Sequence, residues 1–208
     1  MSASTEPGLS PEGPRRLPAP ARRRQLLAVA RDQFSANGFH TSTMDDIAKA
    51  ADVTKPVLYQ HFAGKSELYE AVLDSCIELF EHQVVTPLLL DLTNQERTRR
   101  MISNFISVVT NDPTAYRMIF HSDMHAQKQC NEKIEGLVER VSQRVSHTLQ
   151  DNSGMPRADC EFLAHTLVIL AIRAAEVIAA NPDASMQKRY EHLLVKLVWG
   201  GVEQIAEE

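Results

Sequence analysis

TMDDIAKAADVTKPVLYQHFAGK, residues 43–65, is the stretch on which the fold turns. The Thr43 hydroxyl is placed to cap a short helix, with Asp46 three residues on completing a capping box. That helix ends near Ala51. A second short helix opens at Thr54, with Pro56 in its first turn, where a missing N–H costs nothing, and ends at Phe62. Ile47, Ala48, Val53, Leu58 and Phe62 supply a shared miniature core. Ala48 and Ala51 are small where the two helices cross, and Asp52 tolerates the left-handed conformation that a tight turn often needs. Gly64 then separates the pair from a long helix. The stretch is a helix–turn–helix.

Helical signals continue outward in both directions. Before the motif, a helix from about Pro20 to Asn37 carries Leu26, Leu27, Ala30 and Phe34 on one face and stops at Gly38. After it, the long helix from Lys65 to about Val84 carries Leu68, Val72, Cys76 and Phe80. Thr93-Asn94-Gln95-Glu96 caps a stripe of Met101, Ile102, Phe105, Ile106 and Val109. Asp112-Pro113 opens a short helix through Phe120. Ile134, Leu137, Val138, Val141, Val145 and Leu149 fall at spacings of one, three and four. Asn152-Ser153-Gly154 and Pro156 break the chain, and helices near 159–180 and 184–206 come next, split by Asn181-Pro182-Asp183. No strand-length run of alternating apolar residues occurs. The reading is an all-α protein of about nine helices. Residues 1–19 read as a disordered basic, Pro-rich tail, 20–80 as the unit that carries the helix–turn–helix, and 81–208 as a larger helical unit.

Composition narrows the function. The 208 residues are 43% hydrophobic and 24% charged, ordinary for a globular chain. The net charge of −5 is unevenly spread. Residues 1–65 carry nine Lys/Arg against six Asp/Glu, and residues 66–208 thirteen against twenty-one, so a basic front precedes an acidic body. Three distant cysteines without a CxxC pair make neither a disulfide framework nor a thiolate zinc site. The apolar stretch Leu163–Ile172 is interrupted by a threonine and ended by Arg173, short of a membrane span. The N-terminus lacks the apolar core of a signal peptide. The expectation is a cytoplasmic protein with no membrane partner. His121 and His125, with Asp123 between, have a metal-binding spacing but no third ligand nearby, so no metal or cofactor is expected. No nucleophile elbow or phosphate loop supports an enzyme.

In a helix–turn–helix the second helix enters the major groove and its first residues meet base edges. That places Lys55, Pro56, Val57 and Tyr59 nearest DNA. Hydroxyls and N–H groups at Ser42, Thr43 and Thr54 suit phosphate, and Lys65 is a further phosphate clamp. The segment resembles the DNA-binding domain of TetR-family regulators. The likeness rests on Gly38, Phe39, Ser42-Thr43, Asp46-Ile47-Ala48, Ala51, Val53, Leu58-Tyr59, His61-Phe62, Lys65 and Leu68, and adds His61 to the candidate contacts. Asp52 replaces the usual turn glycine. Pro56 stands where glycine is frequent, which implies a less polar, methyl-reading surface. ArgLeuPro at 16–18, GlnLeuLeu at 25–27, KPVLYQHF at 55–62, YRMIFHSD at 116–123 and TrpGlyGly at 199–201 look like the FasR-type members. Those control fatty-acid synthase genes and sense long-chain acyl-CoA.

The resemblance implies a DNA-binding domain at 20–80, a ligand-binding and dimerisation domain at 81–208, and a homodimer on a palindromic operator, its affinity set by a small apolar effector. Tyr190, Leu193, Leu194, Leu197, Val198 and Val202 repeat at three and four and are the candidate dimer face, although the same stripe suits intrachain core. Arg173 and Glu176 read as a mutual ion pair near that interface. Candidate pocket residues are Phe105, Val109, Tyr116, Ile119 and Phe120, followed by Met124, Leu137, Val141, Phe162 and His165. Arg15, Arg16 and Arg22 to Arg24 suit either a minor-groove arm or a solvated helix start. Two other functions stay open: a TetR-type repressor of efflux or stress genes answering a drug-like ligand, and a helical small-molecule-binding protein or hydrolase without DNA binding.

Overall fold

The computed structural model describes residues 17–121 and 123–206. Residues 1–16 of the expected tail, with the Arg15-Arg16 pair, lie outside these residues, whereas Ala19, expected in the tail, already begins the first helix. Among the described residues there are nine α-helices, two single turns of 3₁₀ helix (Thr86–Leu89 and Asp123–Ala126) and no strand. The helices are α1 (Ala19–Thr41), α2 (Met44–Ala50), α3 (Lys55–His61), α4 (Lys65–Val85), α5 (Asn94–Asn111), α6 (Pro113–Phe120), α7 (Lys128–Ser153), α8 (Arg157–Ala179) and α9 (Ala184–Ala206).

Local chemistry accounts for the boundaries. Thr43 accepts from the Asp46 N–H, Thr93 from Glu96 and Asp112 from Ala115, each satisfying an orphan donor of a first turn. Gly154 ends α7 in the left-handed conformation, with φ 67° and ψ 3°. The expected stop at Gly38 is a break inside α1: its φ of 76° and ψ of 167° are open to glycine alone, and the helical turn resumes through Thr41. A Cβ there would sit 3.0 Å from an Asp123 carboxylate oxygen. That carboxylate accepts the Phe39 N–H at 3.1 Å, replacing the bond the break removes.

The head packs Leu26, Ala30 and Phe34 of α1 against Ile47, Leu58, Phe62 and Leu68, all buried. Phe34, Phe39 and Tyr69 meet at centroid distances of 5.1–6.1 Å, in the range of favourable edge-on contacts. The core then runs without a gap along α4, through Val72, Cys76 and Phe80, into a body built of α5 to α9. Burial pushes the Cys76 thiol up to about 11. Gln129–Glu70, Lys133–Asp74 and Arg140–Glu81 pair across α4 and α7 at a constant offset of 59 residues, which makes the two helices parallel. Arg31 of α1 reaches Asp112 at the start of α6, 2.9 Å away. A second small core joins Ile102 and Ile106 of α5 to Ile178 and Leu194.

One expectation needs correcting. By length and composition α8 is apolar enough to cross a membrane, because hydrophobic residues resume beyond Arg173. Within the chain Cys160, Ala164, Ala175 and Ile178 are buried while Phe162, Ile169, Leu170 and Val177 stay exposed, and Arg173 donates to both Glu176 carboxylate oxygens, at 3.0 and 2.8 Å, as a mutual pair.

Candidate nucleic-acid interface and effector cavity

The motif of residues 43–62 is held from beneath. Thr43 Oγ1 accepts the Asp46 N–H at 3.1 Å and donates to Asp46 Oδ2 at 2.6 Å. Asp52 adopts φ 52°, the left-handed turn conformation expected of it, and the Val53 N–H closes the turn on the Ala48 carbonyl at 3.0 Å. Buried Leu58 and Phe62 seat α3, so Thr54, Lys55, Pro56, Tyr59 and Gln60 face solvent and Val57 and His61 are half-buried. The Thr54 hydroxyl makes no capping bond in its own helix. Arg22 hydrogen-bonds Gln25, whose amide donates to the Ala51 carbonyl, and Arg23 stacks 4.6 Å from the Phe62 ring centre. The basic start of α1 is thereby tied to the motif.

Two of the expected phosphate contacts have other work. Ser42 is buried, and its hydroxyl donates to the Gly38 carbonyl at 2.7 Å. Lys65 Nζ donates to the carbonyls of Phe39, His40 and Ser42 at 2.8, 3.3 and 2.9 Å, and lies 4.4 Å from the centre of the Phe39 ring. A lysine has three N–H donors, and all three are spent on the end of α1. The signal that could have shown this is the broken helix at Gly38, which leaves carbonyls without helical partners.

In the body, a cavity of about 350 Å³ is walled by all six helices from α4 to α9. Phe80, Phe105, Phe120, Leu137, Val141 and Ile172 give it an apolar interior. Its polar wall comes from the first turns of α5 (Asn94, Arg97, Thr98) and the final turns of α7 and α9 (Thr148, Ser153, Glu203). Arg97 is held by the Leu90 carbonyl and the Asn94 side-chain oxygen. The size and lining suit a small apolar molecule or the apolar chain of a larger ligand.

Residues 26–72 match the family described as bacterial regulatory proteins, tetR family. Over 190 residues the chain is 31% identical to the HTH-type transcriptional activator FasR of Mycolicibacterium smegmatis, covering 91% of this chain and 87% of that protein. The chain belongs to the TetR family. It is accordingly a DNA-binding transcriptional regulator. A TetR-like transcriptional regulator from Rhodococcus sp. RHA1 has a similar crystal structure, with a TM-score of 0.74, 27% identity and coverage of 90% of this chain and 99% of that one. Likeness to the HTH-type transcriptional regulator TtgR of Pseudomonas putida is 40% over 60 residues, 29% of each chain.

For a TetR-family regulator the body divides differently from the expectation. Phe105, Phe120, Leu137 and Val141 do line the cavity, whereas Val109, Tyr116, Ile119 and Met124 are buried core outside it. Burial and then the nearby Glu176 charge push the Tyr116 phenol well above its usual range. Phe162 is 70% exposed, because it stands about 120° round α8 from the cavity-lining Val168. His165 lies on a separate polar groove with Glu139, His147 and Glu161. The walls missed from sequence, among them Phe80, Met101, Leu167 and Trp199, sit on stripes that read equally well as core. Among the described residues no three His, Cys, Asp or Glu converge as a metal site. The His125 side chain lies outside what the structure describes.

The apolar stripe of α9 also splits. Leu194 is intrachain core with Tyr190 packed beside it, and Val198 and Val202 line the cavity. Leu193 and Leu197 are 52% and 63% exposed. Neighbouring residues on a helix point 100° apart, so 193/197 and 194/198 belong to different surfaces. On α8, Phe162, Ile169, Leu170 and Val177 are exposed as well.

Proposed function

We propose that this regulator binds a palindromic operator as a homodimer and answers a long-chain acyl-CoA, controlling genes of fatty-acid synthesis from the cytoplasm. The observation that carries the effector reading is the apolar cavity inside the acidic body, with polar residues contributed by three helix ends. The likeness to FasR along nearly the whole chain supports the choice of effector and genes. Lys55, Pro56, Val57 and Tyr59 meet base edges, while Thr43, Thr54 and His61 serve the phosphates. The exposed apolar residues of α8 and α9 pair with their copies, which explains why one face of so apolar a helix as α8 is left uncovered. Two recognition helices then stand roughly 34–36 Å apart, or at a close variant of one helical turn of DNA.

Fluorescence anisotropy tests this with labelled duplexes from upstream of its own gene and of a fatty-acid synthase gene, with and without palmitoyl-CoA. Specific binding altered by palmitoyl-CoA and not by free CoA is the expected result. Specific binding indifferent to palmitoyl-CoA overturns the effector, and no specific binding to either duplex overturns the choice of genes.

A further inference from the structure

The DNA-facing surface of the motif carries an acid where a base-reading surface has little use for one. Asp45, in the first turn of α2, lies 2.8 Å from Lys55, the first residue of α3. Both side chains are about half exposed, at 54% and 53%, so neither is forced on the other by burial. An exposed pair of this kind contributes only about 0–1 kcal/mol, too little to be retained for stability. Near a duplex, an unpaired carboxylate is repelled by every phosphate it approaches.

Geometry supplies a use for it. An ammonium has three N–H donors, and Asp45 takes one. The other two match the O6 and N7 acceptors that a guanine presents side by side in the major groove. A phosphate contact instead draws Lys55 away from α2 and leaves Asp45 unpaired beside the backbone. We propose that Asp45 is a positioning residue for base recognition, its carboxylate aiming Lys55 at a guanine edge and away from phosphate. The hydrogen bond and charge of Asp45 also hold the Lys55 ammonium above the ordinary lysine range, so it stays charged at every working pH. The proposal rests on the reading of α3 as the groove-entering helix.

The test uses the full-length protein, a duplex recovered from a random library by the wild type, and a scrambled duplex of equal length. Binding is measured over a range of salt for Asp45→Asn, Asp45→Glu, Lys55→Met and the Asp45→Asn/Lys55→Met double variant. Asp45→Asn is expected to tighten the scrambled duplex by roughly three- to tenfold and steepen its log–log salt slope by about 0.9 for each additional phosphate neutralised. Its preference for guanine over adenine at the contacted base pair falls by a similar factor, and Asp45→Glu keeps the wild-type values. In the Lys55→Met background Asp45→Asn still relieves the repulsion of an unpaired carboxylate, but it no longer changes base preference. A guanine preference that still falls there overturns the proposal, since Asp45 then acts without Lys55, as does an unchanged guanine preference in Asp45→Asn. If Lys55→Met itself leaves every base preference intact, it is the reading of α3 that fails.

Discussion

A lysine at the start of α4 shows how far a residue's surroundings outrank its type. From sequence Lys65 reads as a phosphate clamp beside a helix–turn–helix, because basic residues near such motifs usually meet DNA. In the fold its ammonium closes the three carbonyls left open after the Gly38 break and covers the Phe39 ring. The residue thus fixes the corner from which α2, and with it the Thr43 cap, projects. Lys65→Ala is expected to lower stability by about 1–3 kcal/mol, the cost of leaving charge-bonded carbonyls without their donor. DNA affinity falls with it, through misplacement of α2. The salt slope separates the two roles: it stays at the wild-type value, whereas loss of a true phosphate contact would flatten it by about 0.9. Thermal melting and a salt titration of the variant read both quantities.

At the scale of elements, what the sequence shows depends on how local the cause is. Caps at Thr43, Thr93 and Asp112, and the left-handed Gly154, act within one turn, so the helix ends could be read directly. Asp52 in the turn was legible for the same reason. The faces of α8 and α9 were not. An apolar side chain is the same whether it meets the core, a cavity or solvent, and within two turns Leu194 is core, Val198 lines the cavity and Leu193 is exposed. The cavity was partly legible, since its walls come from six helices, and of the candidates chosen on α5 to α8 only Phe105, Phe120, Leu137 and Val141 line it. The division of α9 has a consequence for assembly. Leu193→Glu with Leu197→Glu is expected to convert the dimer to a folded monomer in sedimentation, with helical content retained and operator binding lost. A charge at Leu194 instead unfolds the chain, because it buries among Ile102, Ile106 and Ile178. Dimers that survive both glutamates would move the interface elsewhere.

For the whole molecule the question is how a ligand in the body reaches the head. Phe120, at the end of α6, packs 5.6 Å from Phe80 of α4 by ring centres, and both line the cavity. From these two helices the path to the head is short. The α4 helix itself begins at the motif, α6 begins at the Asp112 that holds Arg31, and Asp123 just beyond α6 accepts the Phe39 N–H. A ligand that spreads Phe80 from Phe120 therefore favours one setting of the head over another, and only that difference in affinity can shift the population. The linkage is reciprocal. If saturating palmitoyl-CoA changes operator affinity by some factor, typically about 5- to 150-fold for coupled sites, saturating operator changes palmitoyl-CoA affinity by the same factor. Asp123→Ala, which removes a bond from head to body without touching the cavity, is expected to shrink both factors together. Its palmitoyl-CoA affinity without DNA remains close to the wild type. Titration calorimetry with and without operator measures one factor, and anisotropy with and without palmitoyl-CoA the other. Unequal factors would mean that the effector acts by changing the oligomer, and an undiminished pair in Asp123→Ala would leave α4 alone to carry the coupling.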